Sequence, residues 1–268
     1  MSKNYFFGKY YKFISSDGFL FAIIDSYSDD GKEKQIITPD GGYSVKNPDS
    51  IRIDGKRVDI NISQEGLEMR GTIIMGEFSP LKSNAMGPFK LFSMECAHDI
   101  YSMRHSLSGE ITVNGRNYSF ENGFGYIEGD KGKSFPENYF WYNSVGEDYS
   151  VTVAVATIPL GFIKFTGLLT FIHYRGKEYR LCTYNFARAE KLSEKGVTIK
   201  KGKYKLTVSI HGRIGGHNLK APKYGKMGRL IKENIAVKSS FTFTFENNVI
   251  LEKEDDISSV EYMIGNEQ

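Results

Sequence analysis

Short runs of alternating apolar and polar residues recur along the chain, and turn-forming dipeptides separate them. The two-residue period of these runs predicts half-buried β-strands. The clearest runs lie at 19–27, 57–63, 110–123, 149–158, 204–210 and 239–246. Asp-Gly or Asn-Gly pairs occur at 17–18, 30–31, 40–41, 54–55, 114–115 and 122–123. Such pairs accept the positive φ angles of hairpin turns, so the pattern predicts antiparallel sheet.

The segment 110–120 shows the pattern most completely. Alternating apolar residues flank Asn114-Gly115 on both sides, which predicts a hairpin with a two-residue turn. Helical spacing of apolar residues is best developed in 226–235, where we expect a short helix that Gly228 weakens.

The number of short strands bears on the domain organisation. About twenty strands with few helices predict sandwiches or barrels, and a single closed sheet of that size is uncommon. The 268 residues suffice for one large domain or two of ordinary size. We therefore expect an all-β protein of two antiparallel β-barrels or sandwiches with few short helices. The turn rhythm places the boundary near 145, giving domains 1–145 and 146–268.

The composition limits the kind of partner. Hydrophobic residues make up 40% and charged residues 25% of the chain, with a net charge of +3, as in a folded globular protein. This charge is too small for a dedicated nucleic-acid binder. Basic clusters at 200–205 and 220–232 favour solvated loops and strand ends, and binding of an acidic surface there is a minor alternative.

Targeting and metal-binding signals are weak. The two cysteines, Cys96 and Cys182, form no CxxC pair, so we expect no structural zinc and no cofactor. The N-terminal residues show no signal peptide, and the longest apolar stretch, 151–165, is short and contains Pro159. We expect a cytoplasmic protein with reduced thiols and no stable membrane insertion; the oligomeric state stays open.

Two acids among aromatic residues are the main candidates for chemistry. In a strand through "GYIEGD", side chains two apart share a face, so Tyr126, Glu128 and Asp130 would line one surface. Enclosure by aromatic rings raises the pKa of a carboxylic acid, which prepares it as a general acid. Spacing alone favours the alternative, in which Glu128 and Asp130 form the solvated face of an edge strand that leads to a Gly-Lys-Gly turn.

The preceding segment, 94–109, adds His98, Tyr101 and His105. Histidine titrates near neutral pH and can act as an acid, a base or a metal ligand. The two histidines are seven residues apart, so a regular strand would place them on opposite faces. A bulge would be needed for them to converge, and a structural role for either is the alternative.

The segment 105–144 resembles the core of tocopherol cyclase-like proteins. That family typically has a glycine-rich entry, Tyr-x-Glu-x-Asp, a glycine, Phe-Pro and an aromatic-Trp pair. The matching positions here are Gly125, Tyr126, Glu128, Asp130, Gly132, Phe135, Pro136 and Trp141. Segments 85–109, 177–190 and 219–235 are similar to bacterial members of the family.

The resemblance implies a fold and a reaction. It implies two linked lipocalin-like β domains, as in carotenoid 1,2-hydratase-like proteins, and protonation of a double bond in a hydrophobic, prenylated substrate. The catalytic candidates are Glu128, Asp130, His98 and His105, with Glu128 or Asp130 as the proton donor. The candidates for substrate binding are Tyr126, Tyr139, Trp141, Phe135 and Tyr101. Aromatic faces would stabilise the developing cation.

One departure from the family concerns its opening motif. Phe7 and Lys9 stand where relatives usually have Glu and Trp, so the tocopherol reaction itself does not follow from the resemblance. The leading hypothesis is a redox-neutral cyclase, isomerase or hydratase. The alternative is a lipocalin-like carrier that holds a small hydrophobic ligand without changing it.

Overall fold

The computed structural model describes residues 4–92, 94–160, 163–212 and 215–264. Within these residues the chain forms twenty β-strands and three short 3₁₀ helices, at Pro48–Ser50, Gly87–Leu91 and Thr183–Asn185. The prediction of an all-β protein with few short helices is confirmed. No helix in the described part of the chain combines the length and apolar character that crossing a bilayer requires.

The chain divides into two compact units. The first takes in the described residues of Met1–Asn84, Cys96–Ser134 and Leu219–Leu230. Its antiparallel sheet has the order β4-β3-β2-β1-β10-β8-β7-β6-β5, and β9 pairs with β8. The strands are β1 (Phe6–Ile14), β2 (Leu20–Ser28), β3 (Gly31–Thr38), β4 (Gly41–Ser44), β5 (Ile51–Asp54), β6 (Arg57–Gln64), β7 (Leu67–Met75), β8 (Cys96–Val113), β9 (Arg116–Ser119) and β10 (Gly123–Gly132).

The second unit takes in the described residues of Ala85–Glu95, Phe135–Asn218 and Ile231–Gln268. Its sheet has the order β14-β13-β12-β11-β20-β19-β17-β16-β15, and β18 pairs with β19. The strands of this sheet are β11 (Tyr139–Val145), β12 (Tyr149–Leu160), β13 (Ile163–Tyr174), β14 (Lys177–Arg180), β15 (Arg188–Ser193), β16 (Gly196–Lys201), β17 (Tyr204–Ile210), β18 (His217–Lys223), β19 (Lys226–Phe245) and β20 (Asn248–Met263). Leu219–Leu230, which takes in most of β18 and the start of β19, is counted with the first unit. As a division into independently folding domains, the boundary at 145/146 stays a prediction.

The two sheets share one strand order. β11 corresponds to β1, β20 to β10 and β19 to β8, and the remaining strands follow in the same sequence on either side. In each sheet the first strand of the unit pairs with the last, so residues far apart in sequence become neighbours. This pairing brings β1 and β8 to the two edges of β10.

Local sequence accounts for many of these elements. Asn114 and Gly115 have φ angles of 47° and 82°, and Val113 pairs with Arg116, so the predicted two-residue hairpin is confirmed. The predicted helix at 226–235 is wrong, because these residues belong to β19 and pair with β18 and β20. Sheet pairing outweighs the weak helical spacing there.

The core of the first unit lies on one face of its sheet. Tyr11 of β1 and Ile127 of β10 are registered partners, and both point into this core. The Gln64 amide donates to the Ser44 carbonyl oxygen (3.0 Å) and its oxygen accepts from the Lys46 N–H (3.1 Å). These bonds join strands near opposite ends of the sheet, so the sheet curls as in a lipocalin-like barrel.

The second unit is built in the same way. Phe140 and Tyr142 of β11 point into its core. Lys201 Nζ donates to the carbonyl oxygen of Arg180 at 3.0 Å, which links strands near opposite ends of the curled sheet. Two lipocalin-like β units, as predicted, therefore make up the described chain.

Candidate active site

β10 presents two chemically different faces. Ile127 points into the core, while Tyr126, Glu128 and Asp130 share the opposite face, as the two-residue period predicts. Glu128 is nevertheless buried, with only 6% of its surface exposed, and Tyr126 is fully buried. β10 lies between β1 and β8, so the solvated edge-strand alternative for Glu128 and Asp130 is wrong: Glu128 is buried, and the Asp130 side chain is 22% exposed.

Irregular pairing on β8 decides which side chains reach that face. His98 is the partner of Asp130 and His105 is the partner of Gly125, with two register shifts between the pairs. Between these two pairs β8 advances by seven positions while β10 advances by five, which is the signature of β-bulges. The shifts place His98 beside the acids of β10.

Four side chains form what we call the acid–histidine cluster: His98, Tyr126, Glu128 and Asp130. His98 Nδ1 lies 3.0 Å from Asp130 Oδ1, and its Nε2 lies 3.5 Å from Glu128 Oε2. The Tyr126 hydroxyl donates to Glu128 Oε2 at 2.6 Å. One imidazole thus faces two carboxylates, and the second carboxylate also accepts a phenolic proton.

Burial and charge act in opposite directions on His98. Burial alone lowers the pKa of this imidazole, but the charges of Asp130 and Glu128, the hydrogen bond to Asp130 and the charge of Asp99 together raise it to about 9. His98 is therefore an imidazolium at neutral pH. It can hold a proton next to Glu128 in a site that is largely shielded from water.

The same residues raise the question of a metal. Ligand atoms of His98, Glu128 and Asp130 lie within 4.8 Å of one another. A histidine binds one ion through one ring nitrogen, and here each ring nitrogen faces a different carboxylate. This geometry favours shared protons over a metal ion, and the absence of a metal from the reaction stays a prediction.

Two further residues on this face were missed by sequence reasoning. Tyr10 is the registered partner of Glu128 and Lys12 is the partner of Tyr126, so they share the face of the cluster. Lys12 is fully buried, which is rare for a lysine. The alternation in "GKYYKFI" shows that Tyr10 and Lys12 point to the same face of β1. Only the pairing of β1 with β10 shows that this face also carries the acid–histidine cluster.

The other predicted catalytic histidine lies elsewhere. His105 Nδ1 is 3.0 Å from the Ser102 hydroxyl, and its ring packs edge-on against Phe78. A Cβ added to Gly125 would lie 2.2 Å from His105 Nε2, so the ring covers this glycine on the core side. Burial, followed by the charge of Arg104, lowers the pKa of His105 to about 4. A catalytic role for His105 stays a prediction.

Tyr101 is also outside the cluster. A Cβ added to Gly129 would lie 2.8 Å from its ring, and Lys9 Nζ lies 4.7 Å from its ring centroid. Tyr101 packs against the core of the first unit, on the face opposite Glu128. Lys9, one of the departures from the family opening, is thus a partner of this tyrosine.

The remaining predicted substrate-binding residues belong to the second unit. The Tyr139 hydroxyl donates to Glu261 Oε2 at 2.5 Å, and its ring meets the ring of Phe135 edge-on at 6.2 Å. Trp141 is the registered partner of Glu261. Roles in substrate binding for Phe135, Tyr139 and Trp141 stay predictions.

Comparison with known proteins identifies the fold. Over 97% of this chain and 89% of the other, the structure is similar to kievitone hydratase from Nectria haematococca, with a TM-score of 0.58 and 8% identity. CghA matches over 98% of this chain and 89% of its own, with a TM-score of 0.65 and 9% identity. CghA with Sch210972 gives a TM-score of 0.64.

Sequence comparison adds no assignment. No family model matches the chain, and no curated protein matches it either. At 8–9% identity the structural similarities show a shared fold and not a shared reaction. The tocopherol cyclase-like assignment therefore stays a prediction.

Proposed function

We propose that this protein is a redox-neutral acid/base enzyme that acts on a small hydrophobic substrate. The single observation that carries the proposal is the position of His98 between Asp130 and Glu128, with the Tyr126 hydroxyl on Glu128. Buried titratable groups with shifted pKa values and a shared proton path are typical of acid/base catalysts.

Each member of the cluster has a distinct part in this mechanism. Glu128 is the group that gives a proton to the substrate. The His98 imidazolium faces the Glu128 carboxylate and passes it the proton that Glu128 delivers to the substrate. Asp130 is a positioning residue, since it holds Nδ1 and thereby aims Nε2 at Glu128. Tyr126 fixes the orientation of the Glu128 carboxyl through its hydroxyl.

The reaction balances without an electron acceptor. Glu128, once it has taken the Nε2 proton of His98, adds that proton to a carbon–carbon double bond, which leaves the Glu128 carboxylate, a neutral His98 and a carbocation. Water captures the cation in a hydratase, a hydroxyl of the substrate captures it in a cyclase, and loss of a neighbouring proton completes an isomerisation. In every case one proton returns through Glu128 to His98.

Two comparisons support this reaction class. The fold is shared with a protein named as a hydratase, and segment 105–144 resembles tocopherol cyclase-like proteins, which act on prenylated phenols. The hydrophobic substrate is inferred from this resemblance and from the aromatic side chains Tyr10 and Tyr126 beside the acids. Hydration, cyclisation and isomerisation all fit the same cluster.

The test is a comparison of wild-type protein with Glu128→Gln and His98→Gln on hydrophobic extracts, read by chromatography and high-resolution mass. A retention shift at unchanged mass indicates a cyclase or isomerase, and a gain of one water indicates a hydratase. We expect both variants to lose turnover by about 10²–10⁴-fold, the usual contribution of a positioned proton donor.

A matched control is available in the second unit. His173 Nε2 lies 3.1 Å from Glu178 Oε2, so His173→Gln removes a histidine–carboxylate pair outside the cluster and should leave turnover unchanged. Stoichiometric retention of one compound, released unchanged by every variant, would contradict the enzyme and favour a carrier.

A further inference from the structure

Three large apolar side chains are strongly exposed on the second unit. Phe186 is 93% exposed, Leu91 is 80% exposed and Phe92 is 61% exposed. We call these three residues the apolar patch. Single exposed apolar residues are ordinary, but a group of them marks an interaction surface.

Neighbouring aromatic contacts bring the two segments of the apolar patch together. Phe89 in the 3₁₀ helix Gly87–Leu91 lies 6.2 Å, centroid to centroid, from Tyr184 in the 3₁₀ helix Thr183–Asn185. Phe89 also lies 6.2 Å from Phe165 of β13. Leu91 is the last residue of the first helix, and Phe92 and Phe186 directly follow the first and second helices, so the exposed residues lie beside these aromatic contacts.

The backbone at Phe186 is unusual. It has φ 67° and ψ 20°, a left-handed conformation that is rare for a bulky residue and costs roughly 1–3 kcal/mol. Its side chain gains almost no burial in return. The conformation itself is explained by the end of the 3₁₀ helix, where the Phe186 N–H donates to the Thr183 carbonyl oxygen. The exposed ring is therefore the feature that points to a contact outside this chain.

The surroundings of the apolar patch are basic. Segments 85–92, 164–168 and 182–188 contain Lys90, Lys164 and Arg188 and no acidic residue. Arg188 pairs with Glu190 at 3.2 Å. Lys90 and Lys164 are both exposed. Exposed phenylalanine and leucine together with exposed lysines are typical of proteins that dock on anionic membranes.

We propose that the apolar patch docks on the surface of an anionic lipid bilayer. Its three side chains would insert to the depth of the acyl-chain boundary, while Lys90 and Lys164 contact lipid phosphates. A stable protein interface needs about 800 Å² on each partner. Three side chains supply roughly 500 Å² at most, which is enough for shallow membrane insertion but small for a protein partner.

Docking is independent of the reaction proposed above. If the substrate is hydrophobic, it partitions into bilayers, so a docking surface would bring the protein to its source. A failure of the vesicle experiment below would leave turnover on dispersed extracts untouched, and loss of turnover in the cluster variants would leave docking untouched.

The experiment is flotation of the full chain with vesicles of phosphatidylcholine alone or with added phosphatidylglycerol. Wild-type protein should float with the anionic vesicles, and binding should weaken as salt rises because surface charges are screened. In Leu91→Ser/Phe92→Ser/Phe186→Ser, the partition coefficient should fall by roughly tenfold or more, since the buried apolar area is lost.

A matched control uses exposed apolar residues of the first unit. Tyr224 and Leu230 are 65% and 63% exposed, so Tyr224→Ser/Leu230→Ser should float like wild type. Unchanged thermal unfolding of the triple variant shows that it is folded. Lys90→Glu/Lys164→Glu should reduce binding to the vesicles that contain phosphatidylglycerol and should leave binding to pure phosphatidylcholine vesicles unchanged.

Three results would overturn the proposal. Wild-type protein that stays unbound to anionic vesicles at low salt has no docking surface. Equal flotation of the triple variant places the contact elsewhere. A concentration-dependent dimer in sedimentation, abolished by the triple variant and accompanied by no flotation, assigns the apolar patch to a second copy of the chain.

Discussion

The two units follow the same strand order, but their corresponding strands carry different chemistry. In the first unit β10 and β8 supply Glu128, Asp130 and His98. In the second unit β20 and β19 supply Glu261 and Glu233, which are registered partners. Both sets project from the face opposite their unit's core, and in both an acid accepts a tyrosine hydroxyl.

The difference lies in what stands between the acids. In the first unit an imidazolium separates two carboxylates, so a proton can be held and passed within the acid–histidine cluster. In the second unit Glu233 and Glu261 face each other directly across the strands, and no histidine of β19 or β20 is available. The same topology thus places a histidine between two acids in one unit and an acid pair in the other.

The largest expected effect is a loss of turnover, and it is tested by replacing one acid in each unit. Glu128→Gln should reduce the rate by about 10²–10⁴-fold, whereas Glu261→Gln should stay within about tenfold of wild type, since it keeps the acid–histidine cluster intact. Both variants should be assayed by product formation from the same extract. An equal loss in the two variants would end the assignment of proton transfer to the first unit.

A second prediction concerns the stability of the first unit. The pKa of His98 is raised from 6.5 to about 9 in the folded chain, so the stabilisation is complete below about pH 6.5 and is lost as the pH rises through 9. Between pH 6 and pH 10 the free energy of unfolding should fall by up to about 3 kcal/mol more in wild type than in His98→Gln. Denaturant unfolding at each pH measures this difference.

The matched control for this pH series is His211→Gln. His211 is exposed, and its Nε2 lies 2.9 Å from the Ser240 hydroxyl, so this variant removes a histidine while leaving the acid–histidine cluster intact. Parallel pH curves for wild type and His98→Gln would show that His98 is not charged in the folded protein.

The smallest expected effects come from removing the two tyrosine hydroxyls that donate to the acids, those of Tyr126 and Tyr139. Tyr126→Phe removes the hydroxyl that orients Glu128, and turnover should fall about tenfold. Tyr139→Phe removes the corresponding bond to Glu261 and should change the free energy of unfolding by about 1 kcal/mol with turnover nearly unchanged. A larger turnover loss in Tyr139→Phe would move the site toward the second unit and support substrate contact by that tyrosine.

Local patterns were sufficient to predict much of this structure. Alternation identified the strands, the Asn114-Gly115 pair identified a hairpin, and the two-residue period placed Tyr126, Glu128 and Asp130 on one face. These features depend on residues within a few positions of each other. The misassigned helix at 226–235 shows the limit, since its apolar spacing was compatible with either structure and distant strands decided it.

Other features depend on pairing between distant strands and could not be predicted. The contact of His98 with Asp130 depends on two bulges in β8, and the burial of Lys12 depends on β1 lying beside β10. The strand order is the same in both sheets, but the sequence shows no legible repeat that corresponds to it. Many apolar sequences can fill equivalent strand positions, so topology is retained while sequence similarity disappears.

The pairing of the first strand of each unit with its last also affects synthesis. β1, with the sequence "FFGKYYKFI", has one edge that only β10 covers. At the usual rate of translation, β10 follows on the order of ten seconds later. During that interval an aromatic strand edge stays open to other chains. One edge of β11 likewise stays unpaired until β20 has been synthesised. The nascent protein therefore passes through two successive periods of aggregation risk, and chaperones would be most valuable in those periods.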